Sequence, residues 1–434
     1  MGTSTSAFGA GKRESHDATD FYARFAPPQI SDDDTLGEPG EVDVIHLGDA
    51  RRMTKVPDAS VALVVTSPPY FAGKEYETAL GEGHVPADYI EYLEMLRDVF
   101  HECVRTLEPG GRIAVNVANL GRKPYRNLAA DVTAILQDDL RLLLRGEVVW
   151  QKQRGASGSC AWGSYQSPAN PVLRDTTERL IIASKGRFDR VGRGGAGREG
   201  KGEATVPGDE FMEATLDVWE IPAESATRVG HPAPFPVALV ERCLHLFTYD
   251  GDVVLDPFMG SGTTGVAAKR TGRRFVGYDT EPGYVRQARE RIESLAPVDL
   301  PDRRTVKDMA RSLLAECGFE TFDDNVRIAP GVTVSVRGTR ADGSSRLFEF
   351  GGVHTPSRPG MSRIETVWKT IAKASIVRES DPHESLIVLT SGTVRGGPLA
   401  TVTGPGKPIA AVIDLTLDDA AGRLGAVLDD DHGS

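Results

Sequence analysis

The sequence predicts an α/β chain: a doubly wound sheet, followed by a second, smaller α/β domain. Three observations carry this. Val61-Ala62-Leu63-Val64-Val65 is a continuous apolar run, as in a parallel strand buried on both faces. Val253-Val254-Leu255 ends in Asp256, and a proline turn and a glycine-dense loop then lead into a helical segment. After the linker Pro297 to Pro301 the pattern restarts, with apolar residues at 306, 309, 310, 313, 314 and 317 marking a fresh amphipathic helix.

At 434 residues the chain exceeds one ordinary core, so two domains are expected. Residues 1–40 are rich in Ser, Gly, Asp and Pro without a period and read as a flexible arm, disordered or loosely docked. Composition is that of a soluble globular protein, without a membrane-length apolar run or a signal-peptide core, so a cytoplasmic location is expected. Cys103, Cys160, Cys243 and Cys317 are too dispersed for a metal pattern and read as reduced thiols. No metal site is expected. The net charge of −12 speaks mildly against a nucleic-acid partner, yet acids cluster at Asp32 to Asp34 and Asp429 to Asp431.

In chain order, residues 42–47 alternate weakly and end in Gly48-Asp49, a strand and a turn. The strand at 61–65 runs into Thr66-Ser67-Pro68-Pro69-Tyr70, where two prolines force the chain out at the strand's carboxyl end. Ligands of open α/β sheets sit at such ends. Residues 89–107 carry apolar side chains at spacings of three and four, a helix stopped by Glu108-Pro109-Gly110-Gly111. Residues 112–117 read as strand, 128–144 as helix and 146–151 as strand. Residues 185–201 hold six bases against two acids among many glycines, a mobile basic loop suited to a phosphate backbone.

The glycine loop follows the spacing Gly260-x-Gly262-x-x-Gly265, and the next strand, 274–279, ends in Asp279. An acid about twenty residues beyond such a loop is placed to accept hydrogen bonds from ribose hydroxyls, so a nucleoside cofactor is expected. A helix at 284–295 closes this domain. Beyond the linker, Thr305 and Asp308 approach a capping box. Strands are expected at 326–336, 346–353, 386–390 and 409–415, with a helix near 361–377.

Ser67-Pro68-Pro69-Tyr70, Asp256-Pro257-Phe258-Met259-Gly260-Ser261-Gly262-Thr263 and His231-Pro232-Ala233-Pro234-Phe235-Pro236 together resemble the amino-group DNA methyltransferases, in the β order of motifs. The resemblance spans roughly residues 41–295. It implies a Rossmann-like methyltransferase domain at 41–296, with target recognition at about 152–230, where Trp162-Gly163-Ser164, Asn170-Pro171 and Arg174 to Glu178 fall. It implies S-adenosylmethionine as cofactor, held by Asp49, Phe235, Asp256, Phe258, Gly260, Ser261, Gly262, Thr263 and Asp279. Asp279 is assigned to the ribose and Asp49 to the adenine amine. Ser67, Pro68, Pro69 and Tyr70 become the catalytic loop, with Tyr70 stacking on a flipped base. The partner implied is double-stranded DNA, and a companion restriction endonuclease fits the family. Ser67, where adenine-N6 members carry Asp or Asn, resembles cytosine-N4 enzymes. Adenine N6 stays the alternative.

Two other classes stay open. An NAD-dependent oxidoreductase suits the glycine loop but gives Ser67-Pro68-Pro69-Tyr70 no role. A catalytically silent DNA-binding protein would need a broken cofactor loop. In the domain at 302–434, Arg346 to Gly352 resembles the E-x-K strand of restriction-type nucleases, with Gly351 where the lysine belongs. A DNA-binding or structural role, or a degenerate nuclease, is expected there. Oligomeric state is left open.

Overall fold

The computed structural model describes residues 28, 30–69, 89–120, 125–152, 166–169, 171, 173, 176–190, 204–206, 208–223, 235–295, 305–352, 360–362, 364–392 and 397–430. The chain divides into two compact units, one of residues 1–203 and 222–298, the other of 204–221 and 299–434.

The first unit holds strands β1 (Val44–Leu47), β2 (Val61–Thr66), β3 (Leu107–Val117), β4 (Leu143–Gln151) and β5 (Thr177–Ser184). After β6 (Val218–Glu220), which falls in the second unit, come β7 (Val253–Asp256) and β8 (Arg274–Asp279). Within the first unit the strands lie in the order β1-β8-β7-β2-β3-β5-β4. From β1 to β3 every pairing is parallel; β5 runs antiparallel between β3 and β4. All six residues of β2 and all four of β7 are buried, which is why both read as unbroken apolar runs.

The helices are α1 (Tyr89–Thr106), α2 (Leu128–Ala134), α3 (Gly208–Ala214, second unit), α4 (Val237–Phe247), α5 (Thr263–Arg270) and α6 (Pro282–Glu293). α1 buries Tyr92, Leu96, Val99, Phe100 and Cys103 in one core with Val64, Ile113, Val115 and Leu255 of the sheet. The chain leaves β2 toward β3 in one direction and leaves β7 toward β8 in the other. The switch point therefore lies between the carboxyl ends of β2 and β7, where doubly wound sheets open a crevice.

Several expectations need correction. The helix expected at 128–144 ends at Ala134; a π turn at Ile135–Asp139 follows, and β4 already begins at Leu143. β5 was not anticipated, although it fills the middle of the stretch assigned to target recognition. Its neighbour β3 begins directly after α1 and takes Pro109-Gly110-Gly111 into the strand. Gly110 sits at φ +76°, and an added Cβ would lie 1.9 Å from the Asp189 carbonyl oxygen, so only glycine fits. The N-terminal arm is docked over part of its length. Ser31 N donates to Gly186 O and Gly37 N to Ala59 O, both at 2.8 Å.

The second unit carries α7 (Val306–Glu316), β9 (Phe319–Ala329), β10 (Val332–Arg340), β11 (Ser345–Phe350), α8 (Ile364–Ser380), β12 (Leu386–Thr390), α9 (Pro398–Thr401), β13 (Ile409–Asp414) and α10 (Ala420–Asp430). β9, β10 and β11 are an antiparallel meander, and β11, β12 and β13 are parallel. Leu347 and Phe348, and likewise Ile387 and Val388, serve two separate cores on opposite faces of the sheet. Thr305 and Asp308 form the anticipated capping box. The strand expected at 326–336 is instead a hairpin, because Pro330-Gly331 turns the chain with Gly331 at φ +75°.

Candidate active site

β2 ends at the buried Thr66, and Ser67-Pro68-Pro69 leaves the sheet at the switch point. Pro68 is buried; Ser67 and Pro69 are half-buried. Proline cannot donate to a ladder, so the strand must stop here. Tyr70, Trp162 to Ser164, Asn170, Arg174, Asp175 and His231 to Pro234 lie outside the described residues.

β7 ends beside β2 at Asp256, whose side chain is fully buried. Its Oδ1 accepts from Thr66 Oγ1 at 2.7 Å and from Phe258 N at 3.1 Å. Its Oδ2 accepts from Thr264 Oγ1 at 2.6 Å. Burial pushes the carboxyl pKa up to about 6, against the pull of those three donors. The carboxylate thus faces inward, between two strand ends and a helix.

The loop after Asp256 is held from several sides. Met259 N donates to Tyr278 O at 2.8 Å, and Gly262 N to Met259 O at 2.9 Å. Gly262, at φ +82°, is the N-cap of α5, and an added Cβ would lie 2.9 Å from Ala288 Cβ of α6. From α6, Arg291 Nη1 donates to Ser261 O at 3.1 Å and to Thr263 Oγ1 at 3.2 Å. Ser261 and Thr263 are buried, and Phe258 packs against the main core.

Asp279 ends β8 half-buried. Its Oδ2 accepts from Gly260 N at 2.7 Å and its Oδ1 from Glu281 N at 2.9 Å. Burial raises its pKa, opposed by those backbone donors. One strand further on, β1 pairs Leu47 with Asp279, Gly48 N donates to Asp279 O at 2.9 Å, and Asp49 follows just beyond the strand end. Asp49 caps the 3-10 turn Ala50–Arg52 and takes Arg51 Nε at 2.8 Å and Nη2 at 2.6 Å. Phe235 is buried just before α4, a helix that packs on β2 and α5. The fold therefore gathers Ser67 to Pro69, Asp256, Gly260 to Thr263 and Asp279 at one switch point, with Asp49 one strand away.

Sequence reasoning missed Thr66 and Thr264, and it missed a second buried carboxylate. Glu178, at the start of β5, falls in the stretch assigned to target recognition. It is 7% exposed, accepts from Asn116 Nδ2 at 2.5 Å and pairs with Lys152 Nζ at 2.6 Å. Thr66 pairs with Val115 across β2 and β3, so Asn116 lies level with Ser67. The signal was available: an asparagine inside the apolar run Val115-Asn116-Val117 must find a partner.

The basic stretch at 185–201 also needs correction. Lys185 Nζ donates to Leu107 O at 2.6 Å, and Arg187 Nη1 to Asp33 O at 3.3 Å. Arg190 is buried, bonded to Glu108 and, at 2.6 Å, to Asp252 Oδ2. Burial works against its charge, but the two carboxylates prevail and hold its pKa above the ordinary value. These three bases thus have partners inside the protein. Arg193, Arg198 and Lys201 lie outside the described residues.

The family model described as DNA methylase, of N6 and N4 type, matches residues 61–290. The chain belongs to this DNA methylase family. The match spans both loops of the switch point and excludes the second unit's residues beyond 298. The chain is 30% identical over 261 residues to the Type II methyltransferase M.ScaI of Streptomyces caespitosus, covering 58% of this chain and 82% of that protein. It is 27% identical to the Type II methyltransferase M.MthZI of Methanothermobacter thermautotrophicus, covering 55% and 73%. Among solved structures, a putative DNA modification methylase of Thermus thermophilus, complexed with S-adenosyl-L-methionine, is 31% identical. That likeness covers 57% of this chain and 92% of that one, with a TM-score of 0.45. As a DNA amino-methyltransferase the chain is an enzyme, and membership in this family sets aside the oxidoreductase and silent-binder readings. Among the described residues no helix is long and apolar enough to cross a membrane.

Proposed function

We propose that the chain methylates the exocyclic N4 amine of cytosine in double-stranded DNA, with S-adenosylmethionine as donor. The observation that carries this is Ser67, a neutral hydroxyl ahead of Pro68-Pro69 at the end of β2. A base amine is a poor nucleophile because its lone pair is delocalised into the ring. The Ser67 hydroxyl and the Pro68 carbonyl each accept one amino hydrogen, which favours a more tetrahedral nitrogen. The two prolines fix that geometry in advance. A serine acceptor carries no charge, in contrast to an aspartate. The base is unreachable inside a duplex and enters the crevice flipped, with Tyr70 as its stacking partner.

The residues beside β7 fit the donor. A glycine loop runs into a helix N-terminus, and a half-buried carboxylate, Asp279, ends the next strand. When bound, S-adenosylmethionine supplies an electrophilic methyl group on sulfonium. Asp279 takes the ribose hydroxyls, the Gly260 to Gly262 loop passes the methionine portion, and Asp49, Phe235, Phe258 and Thr263 complete the binding set. Asp256 belongs to this set as the residue that shapes the loop from behind. A companion restriction endonuclease accords with the Type II names of the relatives. For the second unit we infer a DNA-binding or structural role.

Nucleoside mass spectrometry of DNA methylated in vitro tests the atom. N4-methylcytosine is expected, lost in Ser67→Ala with cofactor binding retained. N6-methyladenine as the sole product refutes the cytosine assignment.

A further inference from the structure

We propose that Thr66 is a positioning residue for methyl transfer, acting through Asp256 as a strut between the catalytic and cofactor loops. The inference rests on the methyl-transfer role given to the Ser67 loop. Thr66 is completely buried, so it is placed to act on its neighbours and not on substrate. It is the last residue of β2, joined by one peptide bond to Ser67. Across the switch point, Thr264 lies in the first turn of α5, directly after the loop Gly260 to Thr263. Both hydroxyls close on one carboxylate, Thr66 on Oδ1 at 2.7 Å and Thr264 on Oδ2 at 2.6 Å. Phe258 N, at the head of the cofactor loop, donates to Oδ1 as well.

The geometry has a mechanical meaning. The group that draws hydrogens from the base amine and the loop assigned to the methyl donor stand on different strands. No chain segment shorter than 190 residues joins Thr66 to Asp256. The ladder pairs Leu63 with Val254 and Val64 with Leu255, and beyond it the two ends are tied through one buried carboxylate. A carboxylate with both oxygens bonded in a buried site has little freedom to rotate, so neither loop shifts alone. A misplacement of about 1 Å between reacting groups costs on the order of 100-fold in rate. Past the last paired residues, Val64 and Leu255, an end held only by packing would leave that distance to the prolines.

Thr66→Val keeps the shape and removes the donor, and Thr66→Ser keeps the donor. Each variant is checked for folding by thermal melting. S-adenosylmethionine affinity is measured by calorimetry, and single-turnover transfer to duplex DNA gives the rate. The strut requires Thr66→Val to lose roughly 10- to 100-fold in turnover while its cofactor Kd moves less than about 3-fold. Thr66→Ser recovers most of the rate. Thr264→Val combined with Thr66→Val loses less than the product of the two single losses, because both act through Asp256. Wild-type turnover in Thr66→Val, equal impairment in Thr66→Ser, or a strictly multiplicative double variant overturns the strut. Ser67→Ala separates this from failure of the loop's assigned role. If Ser67→Ala is inactive while Thr66→Val is unimpaired, the strut alone falls. If Ser67→Ala keeps full activity, the role of the loop falls.

Discussion

Replacing Arg190 by methionine removes a guanidinium shared by two buried carboxylates. The side chains of Arg190, Glu108 and Asp252 are 5%, 5% and 1% exposed. Methionine fills much of the volume but leaves two carboxylates facing each other without a cation. Breaking a buried ion pair from one side costs about 3–5 kcal/mol. Asp252 keeps the Tyr249 N–H at 2.7 Å, which places the loss toward the lower end of that range. For a unit of this size about 1 kcal/mol moves Tm by roughly 2–4 °C, so a fall of roughly 6–20 °C is expected. Urea unfolding gives the free energy, and calorimetry gives Tm. The opposing possibility is a base that faces phosphate. In that case Arg190→Met would leave stability intact and flatten the dependence of DNA affinity on salt. A loss under about 1 kcal/mol together with a changed salt slope refutes the buried-triad account.

Asp279→Ala should raise the S-adenosylmethionine Kd by on the order of 10- to 100-fold, the worth of a hydrogen bond to a charged group, as calorimetry would read. Asp256 has a folded pKa of about 6 against an ordinary 3.8, so its contribution is fully present below pH 4 and is lost as pH rises through 6. That difference amounts to about 3 kcal/mol, so Asp256→Asn should gain about this much relative to wild type between pH 4 and pH 7 in urea titrations. In the second unit, Glu349 is buried between Ser335 and Lys373 of α8. Its Oε2 accepts from Ser335 N at 2.9 Å and Oγ at 3.0 Å, and its Oε1 accepts from Lys373 Nζ at 2.5 Å. No DNA cleavage with Mg²⁺ is expected, and Glu349→Gln should destabilise by on the order of 3 kcal/mol in unfolding assays. Metal-dependent cleavage abolished by Glu349→Gln would show the second unit to be a nuclease.

The parallel strands and the glycine loop were legible because their signals are local. Val61 to Val65 is apolar on both faces, and Gly260 and Gly262 announce positive φ. Strand order was not local. Nothing near Asp256 says that Thr66 is its partner, since the contact forms only when β2 and β7 become neighbours. Charge was misread for the same reason. Lys185 and Arg190 look like a phosphate-binding loop until Leu107 O, Glu108 and Asp252 are placed around them. Gly351 was read as a lost lysine, and the structure adds two facts. A Cβ at 351 would lie 2.9 Å from Met361 Sδ and from Val388 Cγ1, and Lys373 brings an ammonium to Glu349 from another element. Helix and strand ends erred where a π turn and a hairpin interrupted smooth hydrophobic patterns.

The interleaved strand order has a consequence during synthesis. β2 has neighbours on both sides, β3 from the next stretch of chain and β7 from far downstream. At roughly 5–20 residues per second, the 190 residues from Thr66 to Asp256 take roughly 10–40 s to emerge. Throughout that interval an apolar strand has one ladder edge unsatisfied, and such an edge recruits other strands. Truncated chains that stop before Val253 should therefore precipitate or engage chaperones, while a second polypeptide supplying residues from α4 onward offers the missing edge. Co-expression of residues up to Phe235 with residues from α4 onward is expected to recover soluble protein that the first fragment alone does not give, as a solubility assay would read.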